Sequence, residues 1–379
     1  MSRKAKDNLV RGAIYGCAGF TVLILVVIIG FIVIKGLPGI SIDFLTRDYE
    51  DKTTYISVDA AEQEQTSGQE EGYVSSIKAV IGLNDKGQAV ITKLDEDSPL
   101  KEAKNTKNEA YPVSKKDIIT KAGDLKIEGI SSLSDAVSSL NGLSGNVKLK
   151  ITRPGGGILP MVVTTLYMIG ISLLISAPVG IFSAVYLIEY AKPGRLMSTI
   201  HFAIQNLAGI PSIIYGLFGS LFFVKVCRLQ YSLLAGALTL SIILLPTIIT
   251  TTEEALKAIP KTYRESSLGL GATKLQTINK VILPNAMPGI LVALLLGIGR
   301  IVGESAALLL TAGTVAQIPQ ALFGNSASGA TLTIKMYTLM KEENDLTTAC
   351  AIGIVLLVII IFINWASKAI TKRLLKKGA

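Results

Sequence analysis

Runs of about 20 apolar residues, each long enough to cross the hydrocarbon core of a bilayer, recur about six times along this chain, at roughly 13–34, 159–188, 200–224, 233–250, 288–311 and 348–366. A backbone in lipid must satisfy its own hydrogen bonds, so such runs fold as helices. The sequence therefore predicts an all-α polytopic membrane protein with about six transmembrane helices. Hydrophobic residues make up 50% of the 379 positions and charged residues 17%, which excludes an ordinary soluble globule. The first run is too long for a removed signal peptide and lacks a small-residue cleavage site before Lys35, so it is expected to remain as an anchor.

Charge between the runs sets an expected orientation. Arg3, Lys4, Lys6 and Arg11 precede the first run, and Lys192 and Arg195 follow the second. Lys257, Lys261, Arg264, Lys274 and Lys280 separate the fourth from the fifth, and Lys368, Lys372, Arg373, Lys376 and Lys377 come at the end. The positive-inside rule places all of these, both termini included, in the cytoplasm. The net charge of +9 divides unevenly: residues 47–153 hold 15 basic and 18 acidic side chains, which leaves the remainder near +12. That excess follows membrane topology and gives no sign of a nucleic-acid partner. Cys17, Cys227 and Cys350 lie in or beside apolar runs without paired spacing, so they read as small core residues, with no metal site and no disulfide framework.

The chain divides into four expected parts. Residues 1–46 are the N-terminus and first membrane helix, and residues 47–72 are acidic, nearly free of aliphatics, and read as a flexible linker. Residues 73–154 carry strand-like pieces at 74–83, 88–94, 117–122 and 147–152 and a helical stretch at 132–140, the pattern of a small α+β domain. Residues 155–379 return to the membrane. The α+β stretch resembles a PDZ domain of the bacterial, protease-associated kind, through Asp97-Ser98-Pro99, Lys116-Asp117-Ile118-Ile119 and Leu133-Ser134-Asp135-Ala136-Val137. Lys116 stands where that family has glycine, and residues 104–114 are longer and more polar than its pattern. The resemblance implies an extracytoplasmic domain, with Ile81, Gly82 and Leu83 as the loop whose N–H groups hold a peptide carboxylate.

Between the fourth and fifth runs, residues 253–285 form a charged segment that should protrude. Glu265-Ser266-Ser267, Gly271 and Val281-Ile282-Leu283-Pro284 read as a short helix, a glycine turn and a second helix stopped by proline. This spacing resembles the coupling loop of ABC-importer permeases, whose pattern is Glu-Ala-Ala, Gly, Ile-x-Leu-Pro. More widely, GGGILPMVVTT, NLAGIPSIIYGLFG, SLLAGALTLSIILLP, TTEEALKAIP and IGRIVGESAALLLTAG resemble segments of the A-type permease of phosphate-specific transport (Pst) systems. That likeness is close from Gly155 onward and loose over residues 1–46. It implies the ABC-importer permease fold, a second permease chain, two copies of an ATPase, and an extracytoplasmic phosphate-binding protein. It also implies a bacterial cytoplasmic membrane, and Glu265, Gly271, Leu283 and Pro284 as the residues that meet the ATPase.

Arg300 and Glu304 lie four apart in the fifth run, which on a helix puts them on one face as an ion pair. Charges at membrane depth face a cavity or a partner, and the arginine fork suits phosphate oxygens. Glu304 can orient Arg300 or accept a hydrogen bond from the O–H of protonated phosphate. Gln205 and Asn206, with Pro211 and several glycines, place the third run on the same pathway. No catalytic residue and no cofactor is expected. Gly269 to Lys274, GLGATK, lacks the phosphate-loop spacing, so ATP must be hydrolysed by a partner.

Three alternatives arise. An intramembrane metalloprotease needs two histidines and the chain has 1, His201, so that version fails; a Ser-His pair would need Ser305 or another serine near it. A permease for sulfate or molybdate shares the chemistry of Arg300. A peptide-sensing receptor would leave the hairpin dispensable.

Overall fold

The computed structural model describes residues 3–60, 71–84, 87–106, 108–123, 125–127, 132–143, 145–324 and 326–377. Its chain separates into two compact units, one made of Met1–Thr46 and Ile158–Ala379 and the other of Arg47–Gly157.

Helix α1 (Arg3–Gly36) is followed by a short α2 (Ile42–Thr46). The inserted unit then runs β1 (Lys52–Ala60), β2 (Tyr73–Val74), β3 (Ala79–Leu83), β4 (Ala89–Leu94), β5 (Lys104–Asn105), β6 (Ile118–Ala122), β7 (Leu125–Lys126), α3 (Leu133–Asn141) and β8 (Gly145–Arg153). The strands form one antiparallel sheet in the order β2-β3-β4-β6-β8-β1-β5, with β7 against β6. Ile56, Ile81, Ile91, Ile119, Leu149 and Ile151 fill its core with Ala136 and Leu140 of α3.

Two expectations fail in this unit. Residues 52–60 are no linker: β1 pairs with β8 along its whole length, from Lys52 opposite Arg153 to Ala60 opposite Gly145. Inside an acidic surround, Thr53-Thr54-Tyr55-Ile56-Ser57-Val58 is a β-forming run that buries Ile56 and Val58 on alternate positions, a period-2 signal masked by the average composition. The rest of the expected linker, residues 61–70, lies outside the described residues. Ile81, Gly82 and Leu83 are likewise no loop. They form the end of β3, Ile81 opposite Ile91 and Leu83 opposite Ala89 on β4, and the Ile81 N–H donates to Gly72 O.

The helical unit resumes with α4 (Leu159–Val185), closed by a π turn at Tyr186–Tyr190. Next come α5 (Arg195–Gly209), α6 (Ser212–Gly219) with a π turn at Ser220–Val226, and α7 (Leu233–Lys257). Then follow α8 (Lys261–Gly269), α9 (Lys274–Thr277) with a π turn at Ile278–Ile282, and α10 (Leu283–Gly303). Short α11 (Ala306–Leu309) and α12 (Leu332–Thr338) precede α13 (Leu346–Lys377). Among the described residues five helical segments are long and apolar enough to cross a membrane, or six if α5 and α6 count as one. The centre is α7, which packs on α4, α10 and α6 and buries Leu240, Ile243, Leu244 and Ile248.

Small residues permit the closest crossings. A Cβ on Gly180 of α4 would stand 2.6 Å from Ile248 Cγ2 of α7, and one on Gly36 of α1 would stand 2.5 Å from the carbonyl carbon of Cys350 on α13.

Three helix boundaries also differ from expectation. The third run is not one straight span: α5 and the segment Ser212–Val226 meet at 98°. Pro211 has no N–H to give and biases Ile210 out of helix, and Ile210 is extended at φ −71° and ψ 131°. The fifth run ends at Gly303 rather than at residue 311. Finally, Pro284 does not stop the second hairpin helix. Lys274–Gly303 continues through it as one helical segment of 30 residues, with the π turn at Ile278–Ile282 directly before the proline adjusting the backbone where its N–H is missing.

Candidate functional site

The hairpin is built by local chemistry. At the end of α8, Gly271 takes φ +87°, a region only glycine enters without strain. Its N–H donates to Leu268 O at 2.9 Å and the Ala272 N–H donates to Ser267 O at 3.2 Å, the Schellman pattern that satisfies the last carbonyls of a helix. Thr273 then starts α9 with a capping box shared with Gln276. The hydroxyls of Ser267 and Thr277 lie 2.9 Å apart and tie the two arms together.

The tip is apolar and unusually open. Leu270 is 89% exposed, and Leu268, Leu275 and Tyr263 are exposed beside it. Glu265 and Pro284 are exposed as well. Leu283 is not: it packs with Val281 against a buried cluster formed by Ala184, Val185, Leu187, Ile204, Leu256 and Ile282. Of the four residues expected at the ATPase contact, three face outward, and Leu283 roots the hairpin in the helices beneath.

Arg264, which the sequence presented only as one positive charge among several, is the most connected side chain of this region. Its Nε and Nη2 donate to Glu189 Oε1 at 2.9 and 2.8 Å. Its Nη1 and Nη2 donate to Ile259 O and Leu256 O, each at 3.0 Å. An arginine at a helix start, with a carboxylate 75 positions earlier, leaves no readable local signal.

The expected pair at the other end of α10 is not formed. Arg300 is half-buried and donates from Nη1 to Thr247 Oγ1 of α7 at 3.4 Å. Glu304 lies past the helix end, extended at φ −83° and ψ 120°, and is 8% exposed. Its Oε1 accepts from the Ala307 N–H at 3.1 Å. Two glycines, Gly299 and Gly303, flank the last turn. The unsatisfied N–H groups at the start of α11 attract the carboxylate as any helix start attracts an anion. Arg300 thus keeps most of its five donors free of protein partners among the described residues. Tyr215 of α6, buried and within electrostatic reach of Arg300, donates its hydroxyl to Leu207 O at 2.7 Å and so spans the α5–α6 bend.

Gln205 and Asn206 are exposed on α5. Asn206 Nδ2 donates to Phe202 O of its own helix at 2.7 Å, and neither residue hydrogen-bonds to Arg300. A guanidinium with open donors, set against a threonine and within reach of a tyrosine, can receive an oxyanion. Among the described residues no group of three or more histidine, cysteine or carboxylate side chains is placed to hold a metal ion.

A family model described as "Binding-protein-dependent transport system inner membrane component" matches residues 176–376, a stretch that includes the hairpin and Arg300. The probable ABC transporter permease protein YqgI of Bacillus subtilis is 36% identical over 179 residues, 47% of this chain and 61% of that protein. The phosphate transport system permease protein PstA homolog of Mycoplasma pneumoniae is 36% identical over 213 residues, 53% of this chain and 32% of that protein. The phosphate transport system permease protein PstA 1 of Mycobacterium tuberculosis is 34% identical over 218 residues, 57% of this chain and 70% of that protein. The chain thus spans less than two thirds of the length of the first two relatives.

Proposed function

The chain belongs to the family of binding-protein-dependent transport system inner membrane components, and we propose that it is the permease component of an ATP-driven importer of inorganic phosphate. The observation that carries the substrate is Arg300, a half-buried guanidinium on α10 with one long hydrogen bond to Thr247 and its other donors available. The likeness to proteins named as phosphate permeases supports the same choice. Phosphate oxygens would take the open donors of Arg300. Glu304, with one oxygen engaged by Ala307, would offer the other to the hydrogen that phosphate carries and sulfate lacks at neutral pH.

Energy comes from outside the chain. The apolar tip at Leu270, with Glu265 and Gly271 beside it, docks in a cleft of a partner ATPase, and a second permease chain completes the pathway. Both termini and the hairpin lie in the cytoplasm. The inserted unit, read as a PDZ-like module, lies outside, where it contacts an extracytoplasmic phosphate-binding protein. Unchanged docking of that protein after excision of residues 48–153 would remove this last element.

Labelled phosphate uptake with sulfate as competitor tests the proposal in cells that hold equal membrane levels of each variant. Arg300→Gln and Glu304→Gln are expected to lose uptake with the complex assembled. Uptake untouched by either would overturn it, and uptake displaced by sulfate would favour a general oxyanion permease.

A further inference from the structure

Two adjacent residues at the end of α4 grip both arms of the hairpin. Glu189 accepts from Arg264 on α8 at 2.8 Å, with the carboxylate side chain 8% and the guanidinium 20% exposed. Next to it the Tyr190 ring lies under Lys274 Nζ on α9, 4.7 Å from ring centroid to nitrogen. Both gripping residues belong to the Tyr186–Tyr190 π turn, a segment type often found at functional positions. Arg264 closes a second link. By donating to Leu256 O in the last turn of α7 and to Ile259 O just beyond it, it adds side-chain hydrogen bonds to carbonyls at that helix end. One guanidinium thereby joins α8, α4 and α7, and below it an apolar cluster from α4, α5, α7 and the Ile278–Ile282 turn has no polar directionality of its own.

We propose that Glu189 and Arg264, aided by Tyr190 and Lys274, form a two-point clasp that makes the hairpin, α4 and the end of α7 move as one body, so that hairpin displacement opens or closes the helical bundle. The inference rests on the proposed permease function. Apolar packing alone lets helices slide, whereas a charge-assisted fork fixes direction and distance. A buried carboxylate left without its arginine is costly, so the pair resists separation during each stroke. The clasp residues are positioning residues that touch neither the transported ion nor ATP.

The test uses the full chain, assembled with its cognate partners in liposomes, with phosphate uptake and ATP hydrolysis measured in the same sample. Glu189→Gln keeps the shape and removes the charge; Arg264→Lys keeps the charge and removes the fork. Both are expected to retain hydrolysis while uptake per ATP falls about tenfold. Tyr190→Leu is expected to give a smaller fall in the same ratio. An unchanged ratio, or uptake and hydrolysis falling together in proportion to assembled complex, would overturn the clasp.

A second measurement needs no transport. Spin labels at Phe182→Cys on α4 and Leu275→Cys on α9, in a chain with its native cysteines replaced, report the distance between α4 and the hairpin. A single narrow distance that broadens in Glu189→Gln and Arg264→Lys is expected; equal widths in all three would sink the proposal. Wild type that hydrolyses ATP yet accumulates no phosphate would refute the substrate alone, and the label distances would still decide the clasp.

Discussion

Arg153 and Arg300 show how differently one side chain type is used in the two units. Arg153 donates to Asp117 from Nε at 3.0 Å and from Nη2 at 2.8 Å, donates to Pro112 O and stacks 4.7 Å over the Tyr111 ring. Asp117 is fully buried and its carboxylate holds the Arg153 guanidinium above its ordinary pKa. Arg153→Leu would strand that carboxylate, at an expected loss of about 3 kcal/mol. Hydrogen exchange on the full chain should show it as faster exchange in β6 and β8, while the membrane helices stay unchanged. Arg300 has no such cage and is kept available. Arg300→Lys retains charge without the planar fork, so uptake should fall less than in Arg300→Gln; equal loss in both would mean that the fork, and not the charge, is what uptake needs. The sequence singled out Arg300 and gave no sign of the role of Arg153, because each is decided by its partner, 53 and 36 positions distant.

At the scale of elements, the hairpin was legible and its root was not. Glycine at position 271 and the alternation of apolar and charged runs are local signals, and each matches what the backbone does. Gly271→Asn should keep most uptake because asparagine tolerates the left-handed region, whereas Gly271→Val should lose it, the strain being about 1–2 kcal/mol. Uptake ranked the other way would show that bulk at the tip matters more than backbone shape. The role of Pro284 is not legible in sequence, because a proline that usually ends a helix can also be carried inside one by a local adjustment of the backbone, and only the π turn before it shows which applies here. Pro211 is the converse case: a hydropathy window runs straight through it, yet the helix turns by 98° there. Pro211→Ala should straighten that bend in part, read as a longer distance between labels on α5 and α6, and an unchanged distance would assign the bend to packing.

For the whole molecule, the connection between units is a prediction in itself. In the helical unit the chain leaves and re-enters at neighbouring points, with the Ile158 N–H donating to Phe44 O at 2.8 Å. Replacing residues 47–157 by a short Gly-Ser linker should therefore leave the bundle with an unchanged melting temperature in detergent; a large drop would show that the bundle depends on the insertion. Gly36→Val, with its Cβ forced against the Cys350 backbone, should by contrast loosen α1 from α13 at a cost of about 1–3 kcal/mol. What the sequence determined by itself is whatever rests on local periodicity and conformational preference: the apolar runs, the α+β character of the insertion, the glycine turn. What only the tertiary structure decided is whatever depends on which distant groups meet. It paired β1 with β8, turned Glu304 away from Arg300 toward a helix start, and joined Glu189 to Arg264. Hydropathy is additive along a chain and can be summed from residues in order, while hydrogen-bond partners are chosen by geometry that exists only after the helices and strands have packed.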